Sequence, residues 1–187
     1  MQFPLNALAG SPAQAAKDHQ VQLRDAHPDD ATALAAIYNH FIENTTVTFE
    51  EHRVTPAEMA VRVSDLQADG LPWLVACDDE GVFGYAYASK WRVRHAYRYS
   101  AEGTVYLAPG RAGQGAGAAL YGALIARLRA AGYHLLIGGI ALPNPASVAL
   151  HAKLGFDKVA HFGEVGFKFG QWIDVGYWQL RLDPPSH

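Results

Sequence analysis

The sequence has no Asp or Glu anywhere between Gly103 and Phe156. That gap argues against a carboxylate-held magnesium in this half. It also removes the acid that a dinucleotide-binding fold places on the ribose about twenty residues after its glycine frame. Cysteine is almost absent. Cys77 is the single one, so no internal disulfide forms, and its apolar run Trp73-Leu74-Val75-Ala76-Cys77 makes it read as a core residue. No apolar stretch approaches the ~20 residues of a membrane helix. Residues 1–20 lack a basic start, and Pro4, Asn6 and Gly10 interrupt their apolar character. They read as a flexible extension and not as a signal peptide. Without secretion the Asn44-Thr45-Thr46 sequon has no use, and a cytoplasmic location is the expectation. The nine histidines form no pair at three- or four-residue spacing, and with one cysteine no metal site is expected. A net charge of −3 leaves no global footprint for nucleic acid.

What is present is an ordinary globular composition, 50% hydrophobic and 18% charged over 187 residues. One domain is the default at this length, expected over residues 21–183. Val21 to Asp25 reads as a strand and Pro28 to Glu43 as a helix. Thr55-Pro56-Ala57-Glu58 opens a second helix with a capping box and Pro at its first position. Trp73–Cys77 and Val82–Ala88 read as a hairpin. Leu135 to Ile140 reads as a buried strand. Asn144-Pro145 caps a short helix that ends at Gly155-Phe156, and a strand follows to His161. Gly163 to Trp172 holds three glycines and reads as a loop before a last strand to Leu182. The expected fold is α/β, with a central mixed, twisted sheet flanked by helices.

The chain is organised around residues 101–117. Thr104 to Leu107 suits a pleated surface, Pro109-Gly110 a turn. Gly113, Gly115 and Gly117 alternate with small residues before a helix. Glycines there let backbone N–H groups approach a ligand, and the helix start adds its dipole, so an anion seat follows. The ordinary alternative is a tight turn packed under a sheet. A P-loop needs Lys-Ser/Thr after its last glycine, where this chain has Ala118-Ala119. The missing acid argues against NAD. The pyrophosphate of coenzyme A remains, and Arg111, Arg127, Arg129 and Lys153 make this half locally basic.

The glycine frame, with Asn144-Pro145-Ala146-Ser147 through Leu150-His151 and Leu154-Gly155-Phe156, resembles the GNAT acyltransferases over roughly Val21 to Leu182. The family's Q/R-x-x-G-x-G/A loop falls on Ala112 to Gly117. This chain departs from it at Ala112, and Arg111 sits one residue early. Separated blocks match the phosphinothricin and methionine sulfoximine N-acetyltransferases within it. They include Ile37-Tyr38-Asn39, Thr48-Phe49, Arg94-His95-Ala96-Tyr97, Glu102 with Val105-Tyr106, Leu142-Pro143-Asn144, and Gly166-Phe167-Lys168.

The resemblance implies acetyl-CoA as cosubstrate and a small amino acid-like acceptor. It implies Glu102 as proton acceptor and His151, where many relatives have Tyr, as proton donor to the thiolate. Val105, Tyr106 and Leu107 would pair with the pantetheine arm. Arg111, Ala112, Gly113, Gln114, Gly115, Ala116 and Gly117 would hold the pyrophosphate, and Asn144 and Ser147 would touch the same arm. Phe49, Arg94, Tyr97 and Lys168 would meet the acceptor. It also implies a homodimer. Each residue has an ordinary alternative: a strand-edge Glu102, a His151 satisfied by packing, an Asn144 that only caps, a solvated Lys168. Two rival functions stay open, transfer to another small amine and a CoA-responsive module without turnover.

Overall fold

The computed structural model describes residues 21–182. The extension expected at residues 1–20 lies outside the described residues. Seven strands, β1 (Gln22–Asp25), β2 (Trp73–Asp78), β3 (Gly81–Lys90), β4 (Ser100–Leu107), β5 (Leu135–Leu142), β6 (Asp157–Lys168) and β7 (Gln171–Arg181), form one sheet in the order β1-β2-β3-β4-β5-β7-β6. Only β4 and β5 pair in parallel; every other ladder is antiparallel. The sheet is mixed, as expected.

Four helices, α1 (Ala31–Asn44), α2 (Pro56–Ala68), α3 (Ala116–Ala130) and α4 (Pro145–Lys153), cover it. α2 starts as its sequence dictates. Thr55 accepts from the Glu58 N–H at 3.2 Å, and the Glu58 carboxylate accepts from the Thr55 N–H at 2.7 Å. Asn144 Oδ1 accepts from the Ser147 N–H at 3.0 Å and caps α4. Two cores lie on the two faces of the sheet. Leu120, Tyr121, Leu124 and Leu128 of α3 pack with Leu136 and Ile140 on one. Leu34, Ile37, Tyr38, Met59 and Val63 of α1 and α2 pack with Trp73, Tyr85 and Tyr106 on the other. Alternation along β4 therefore sends Ala101 to the α3 side and Tyr106 to the α1 side.

Two expectations are corrected. Residues 163–172 are not a loop. β6 continues to Lys168, turns through Phe169-Gly170, and β7 begins at Gln171. The glycine at 166 serves a contact: a Cβ there would meet the Phe49 ring at 2.3 Å. Cys77 is half-buried and not in the core, since it lies toward the exposed end of β2 beside the edge strand β1. No helix among the described residues is long and apolar enough to cross a membrane.

Candidate active site

The glycine loop joins β4 to α3 and has the conformation its residues require. Gly110, Gly113 and Gly115 have φ of 79°, 84° and 84°, a region where a side chain strains the backbone. Gly115 caps α3, and the first helical bond runs from the Ala119 N–H to the Gly115 carbonyl. The N–H groups of the first turn therefore have no helical partner and carry the positive end of the dipole. Gly117 and Ala118 of this turn border a cleft of about 500 Å³, lined also by Val105, Tyr106 and Leu107 of β4 and by Ala112, Gly113 and Gly115 of the loop. Asn144 and Ser147 of α4 close its other side. Phe41 and Val47 also line it and were not singled out by sequence, and Lys153, one of the basic residues noted there, lines it too. Gln114 and Ala116 are not among its lining residues.

The cleft exists because two strands part. β4 pairs with β5 at Ser100↔Leu135, Ala101↔Leu136 and Glu102↔Ile137, and no further. Beyond Glu102 the edge of β4 that faced β5 has no strand partner, while β5 continues against β7 to Leu142. A recess of about 60 Å³ marks the gap, bordered by Gly103, Thr104, Gly139, Ile140 and His151. Such an unpaired edge beside an anion seat suits an extended, amide-bearing arm that ends in phosphates.

Glu102 is the last β4 residue paired to β5. Its carboxylate crosses to Gly139, where a Cβ would lie 3.2 Å from Oε1 and the same distance from the Tyr177 ring. Burial raises its pKa above the ordinary carboxylate value, and the nearby Arg92 guanidinium partly offsets the rise. A half-buried carboxylate of raised basicity at the point where β4 and β5 part can accept a proton.

His151 is 4% exposed. Its Nδ1 lies 2.8 Å from the Ser147 carbonyl, so Nδ1–H donates there. Nε2 lies 3.3 Å from the Tyr121 hydroxyl, which is equally close to the Gly103 carbonyl. Burial lowers the His151 pKa, against the opposing pull of the Ser147 carbonyl. Nδ1 thus has its own partner, while Nε2 and the Gly103 carbonyl compete for the one Tyr121 O–H beside the recess. Gly138 makes room for the ring, since a Cβ there would meet Nε2 at 2.3 Å.

The remaining expected residues fall into three groups. Arg94 and Tyr97 line a recess of about 240 Å³ with Arg92, Ser100 and Tyr133, at the start of β4. Glu102 does not line that recess. Phe49 rests on Gly166, and the buried Lys168 ammonium donates to the Thr48 carbonyl at 2.8 Å. Both tie the α1–α2 connection to the β6–β7 hairpin, so Lys168, expected to meet the acceptor, is a buried strand residue, and the alternative of a solvated loop lysine is excluded. Arg111, expected at the phosphates, is placed elsewhere in this structure. Its guanidinium is bound by Asp78 and Glu80 of the β2–β3 hairpin and stacks 4.0 Å above the Phe83 ring.

The family model for the acetyltransferase (GNAT) domain matches residues 23–176. The chain belongs to the GNAT acetyltransferase family. It is 39% identical over 166 residues to phosphinothricin N-acetyltransferase of Streptomyces viridochromogenes, a match covering 89% of this chain and 90% of that protein. It is 41% identical over 166 residues to the L-methionine sulfoximine/L-methionine sulfone acetyltransferase of Pseudomonas aeruginosa, covering 87% and 95%. Its fold superposes on the Sinorhizobium meliloti phosphinothricin acetyltransferase in complex with acetyl-CoA with a TM-score of 0.83 and 40% identity, covering 86% of this chain and 88% of that one.

In this GNAT chain, sequence reading missed Arg92, which acts on Glu102, and Tyr121, which meets His151. Arg92 lies beside Trp91 in a stretch where Arg92, Arg94 and Arg98 recur, so a signal existed. Tyr121 looked like one more apolar position of α3. The lowered pKa of His151 has a consequence for stability. As pH falls below the ordinary value of 6.5, the unfolded chain takes up a proton that the folded chain refuses. Stability present above that value is therefore lost on acidification, by at most ~1.4 kcal/mol per pH unit for one proton. His151→Gln should flatten the slope of urea midpoint against pH between about pH 7 and 5.5. Equal slopes in both proteins would show that His151 does not contribute.

Proposed function

We propose that this GNAT protein is an acetyl-CoA-dependent N-acetyltransferase whose acceptor is a small amino acid of the phosphinothricin or methionine sulfoximine type, with Glu102 as general base. The observation that carries the reading is the position of Glu102, whose carboxylate lies over Gly139 where β4 and β5 part. Identity near 40% to acetyltransferases named for those two substrates supports the acceptor class.

Acetyl-CoA, when bound, supplies the activated acetyl group. The first-turn amides of α3 and the glycines at 113, 115 and 117 suit its pyrophosphate, and the free edge of Val105, Tyr106 and Leu107 suits its pantetheine amides. A backbone N–H on that edge can also stabilise the oxyanion. Glu102 takes the proton that the attacking amine loses. A free α-amino group has a pKa near ~8, so a base of modest strength is enough. His151, through its Nδ1–H bond to the Ser147 carbonyl, supports α4 and the Ser147 end of the cleft.

The functional test is thiol release from acetyl-CoA across a panel of amines. Phosphinothricin, methionine sulfoximine and methionine sulfone should be turned over well above simple amines lacking a carboxylate. Turnover confined to another amine would move the acceptor class. Tight acetyl-CoA binding without turnover of any amine would leave a binding module.

We also read the chain as a cytoplasmic homodimer. β6 is an edge strand, and Phe162, Val165, Phe167 and Trp172 on the β6–β7 hairpin are each more than half exposed. An unpaired edge with a large apolar patch favours covering by a second copy. Sedimentation should give twice the chain mass for wild type, and Trp172→Glu should shift it toward the monomer. A wild type that sediments as a monomer at micromolar concentration would end this reading.

A further inference from the structure

We infer that Arg111 and Asp78 form the anchor that holds the phosphate loop ready for the cofactor, so that Arg111 serves acetyl-CoA binding as a positioning residue without touching the phosphates. The inference rests on the acetyl-CoA reading above.

The loop from Ala108 to Gly115 needs such an anchor. Ala112, Gly113, Gln114 and Gly115 are exposed, and three positive-φ glycines give the unfolded and partly folded loop many alternatives. Ala112 brings no side chain that can reach a phosphate. The loop therefore offers chiefly backbone N–H groups, whose value depends on being held in one arrangement.

Besides the bond that joins Gly115 to α3, the structure fastens the loop at its start. The Ala108 N–H donates to the Phe83 carbonyl at 2.7 Å, and the Arg111 N–H donates back to the Ala108 carbonyl at 3.1 Å. The Arg111 side chain then reaches over Phe83, with its guanidinium carbon 4.0 Å from the ring centroid. It ends on Asp78, whose side chain is fully buried, and more loosely on Glu80 at 3.4 Å. Asp78 is itself fixed, because its Oδ1 accepts from the Glu80 N–H at 2.9 Å across the hairpin turn. The chain of contacts thus runs from a rigid hairpin through a planar, stacked cation to the loop. Arg111 does not line the cleft, and its charge is met by two carboxylates. A planar fork and a stacking face are what distinguish Arg from Lys in such a place.

The test is Arg111→Lys, which keeps a cation beside the buried Asp78 carboxylate but removes the fork and the stacking. Calorimetry at a temperature well below unfolding gives Kd for CoA, and kinetics gives KM for acetyl-CoA and for S-acetylpantetheine, which has no pyrophosphate. The expected result is a rise of about tenfold in Kd and KM for the CoA ligands, from lost preorganisation. kcat and the KM for S-acetylpantetheine should stay within about twofold. Asp78→Asn should reproduce the pattern, and Glu80→Gln should change little, because Glu80 is the outer partner. An unchanged Kd for CoA in Arg111→Lys would overturn the inference, as would equal weakening of acetyl-CoA and S-acetylpantetheine, which marks general damage to the cleft. Failure of the wild type to bind CoA would instead overturn the acetyl-CoA reading itself.

Discussion

Replacing Glu102 by Gln is expected to lower kcat by about 10²–10⁴-fold at neutral pH, the usual contribution of a positioned base. The change keeps the shape of the side chain beside Gly139 and Tyr177 and removes its basicity. CoA affinity should be retained, because Glu102 does not line the phosphate cleft. The variant should recover part of its rate at high pH, where more of the amine is already neutral. The wild-type profile carries a second signature. Burial raises the Glu102 pKa, so the activity that needs its carboxylate disappears as pH falls through a value above the ordinary 4.5. Arg92 opposes that rise. Arg92→Gln should therefore move the lower limb of kcat/KM to higher pH. High salt should shrink the difference, since Arg92 is exposed and screened. Near wild-type turnover by Glu102→Gln would make Glu102 a structural residue. A lower limb unmoved in Arg92→Gln would remove Arg92 from the account.

Arg94→Ala is expected to raise KM for the amino acid by about ten- to a hundredfold, since a charged hydrogen bond contributes roughly 1.5–3 kcal/mol. KM for acetyl-CoA should change much less. The recess holding Arg94 and Tyr97 opens at Ser100, two residues before Glu102 and so about 7 Å along the strand. A small zwitterion placed there would present its amine to Glu102 and its carboxylate to the guanidinium. Arg94→Lys should not restore KM fully, because an ammonium lacks the fork. The corresponding amide should be a poor substrate for wild type and nearly indifferent to the mutation. Acid and amide measured on both proteins close a cycle that isolates the carboxylate contact. Because Arg92 lines the same recess, Arg92→Ala belongs in the same experiment. If Arg92→Ala carries the acid-specific loss, Arg92 reads the carboxylate in place of Arg94. Equal losses of acid and amide in Arg94→Ala would show that Arg94 supports the segment and does not read the substrate.

Most of the elements were legible because their signals are local. The Thr55–Glu58 capping box, Pro56 at the start of α2, and Asn144 before α4 act over one helical turn, and each formed as its residues require. The glycines at 113 and 115 declared their positive φ by being glycine. The β6–β7 hairpin was misread for the opposite reason. Its glycines look like loop residues locally, yet Gly166 is small because Phe49, far away in sequence, packs on it.

The sequence by itself determined the helix starts, the glycine seat, the acid-free half of the chain and, through several separated blocks, the family. These depend on residue type and short spacing, which a chain displays before it folds. Tertiary structure alone decided who meets whom. Arg111, expected at the phosphates, is paired with Asp78, 33 residues away. Lys168 is buried against Thr48, 120 residues away. His151 is joined to Tyr121, 30 residues away. The physical reason is the order and the parting of the strands. An ion pair or a buried imidazole takes its partner from the neighbouring strand or helix, and no local preference encodes which neighbour that is.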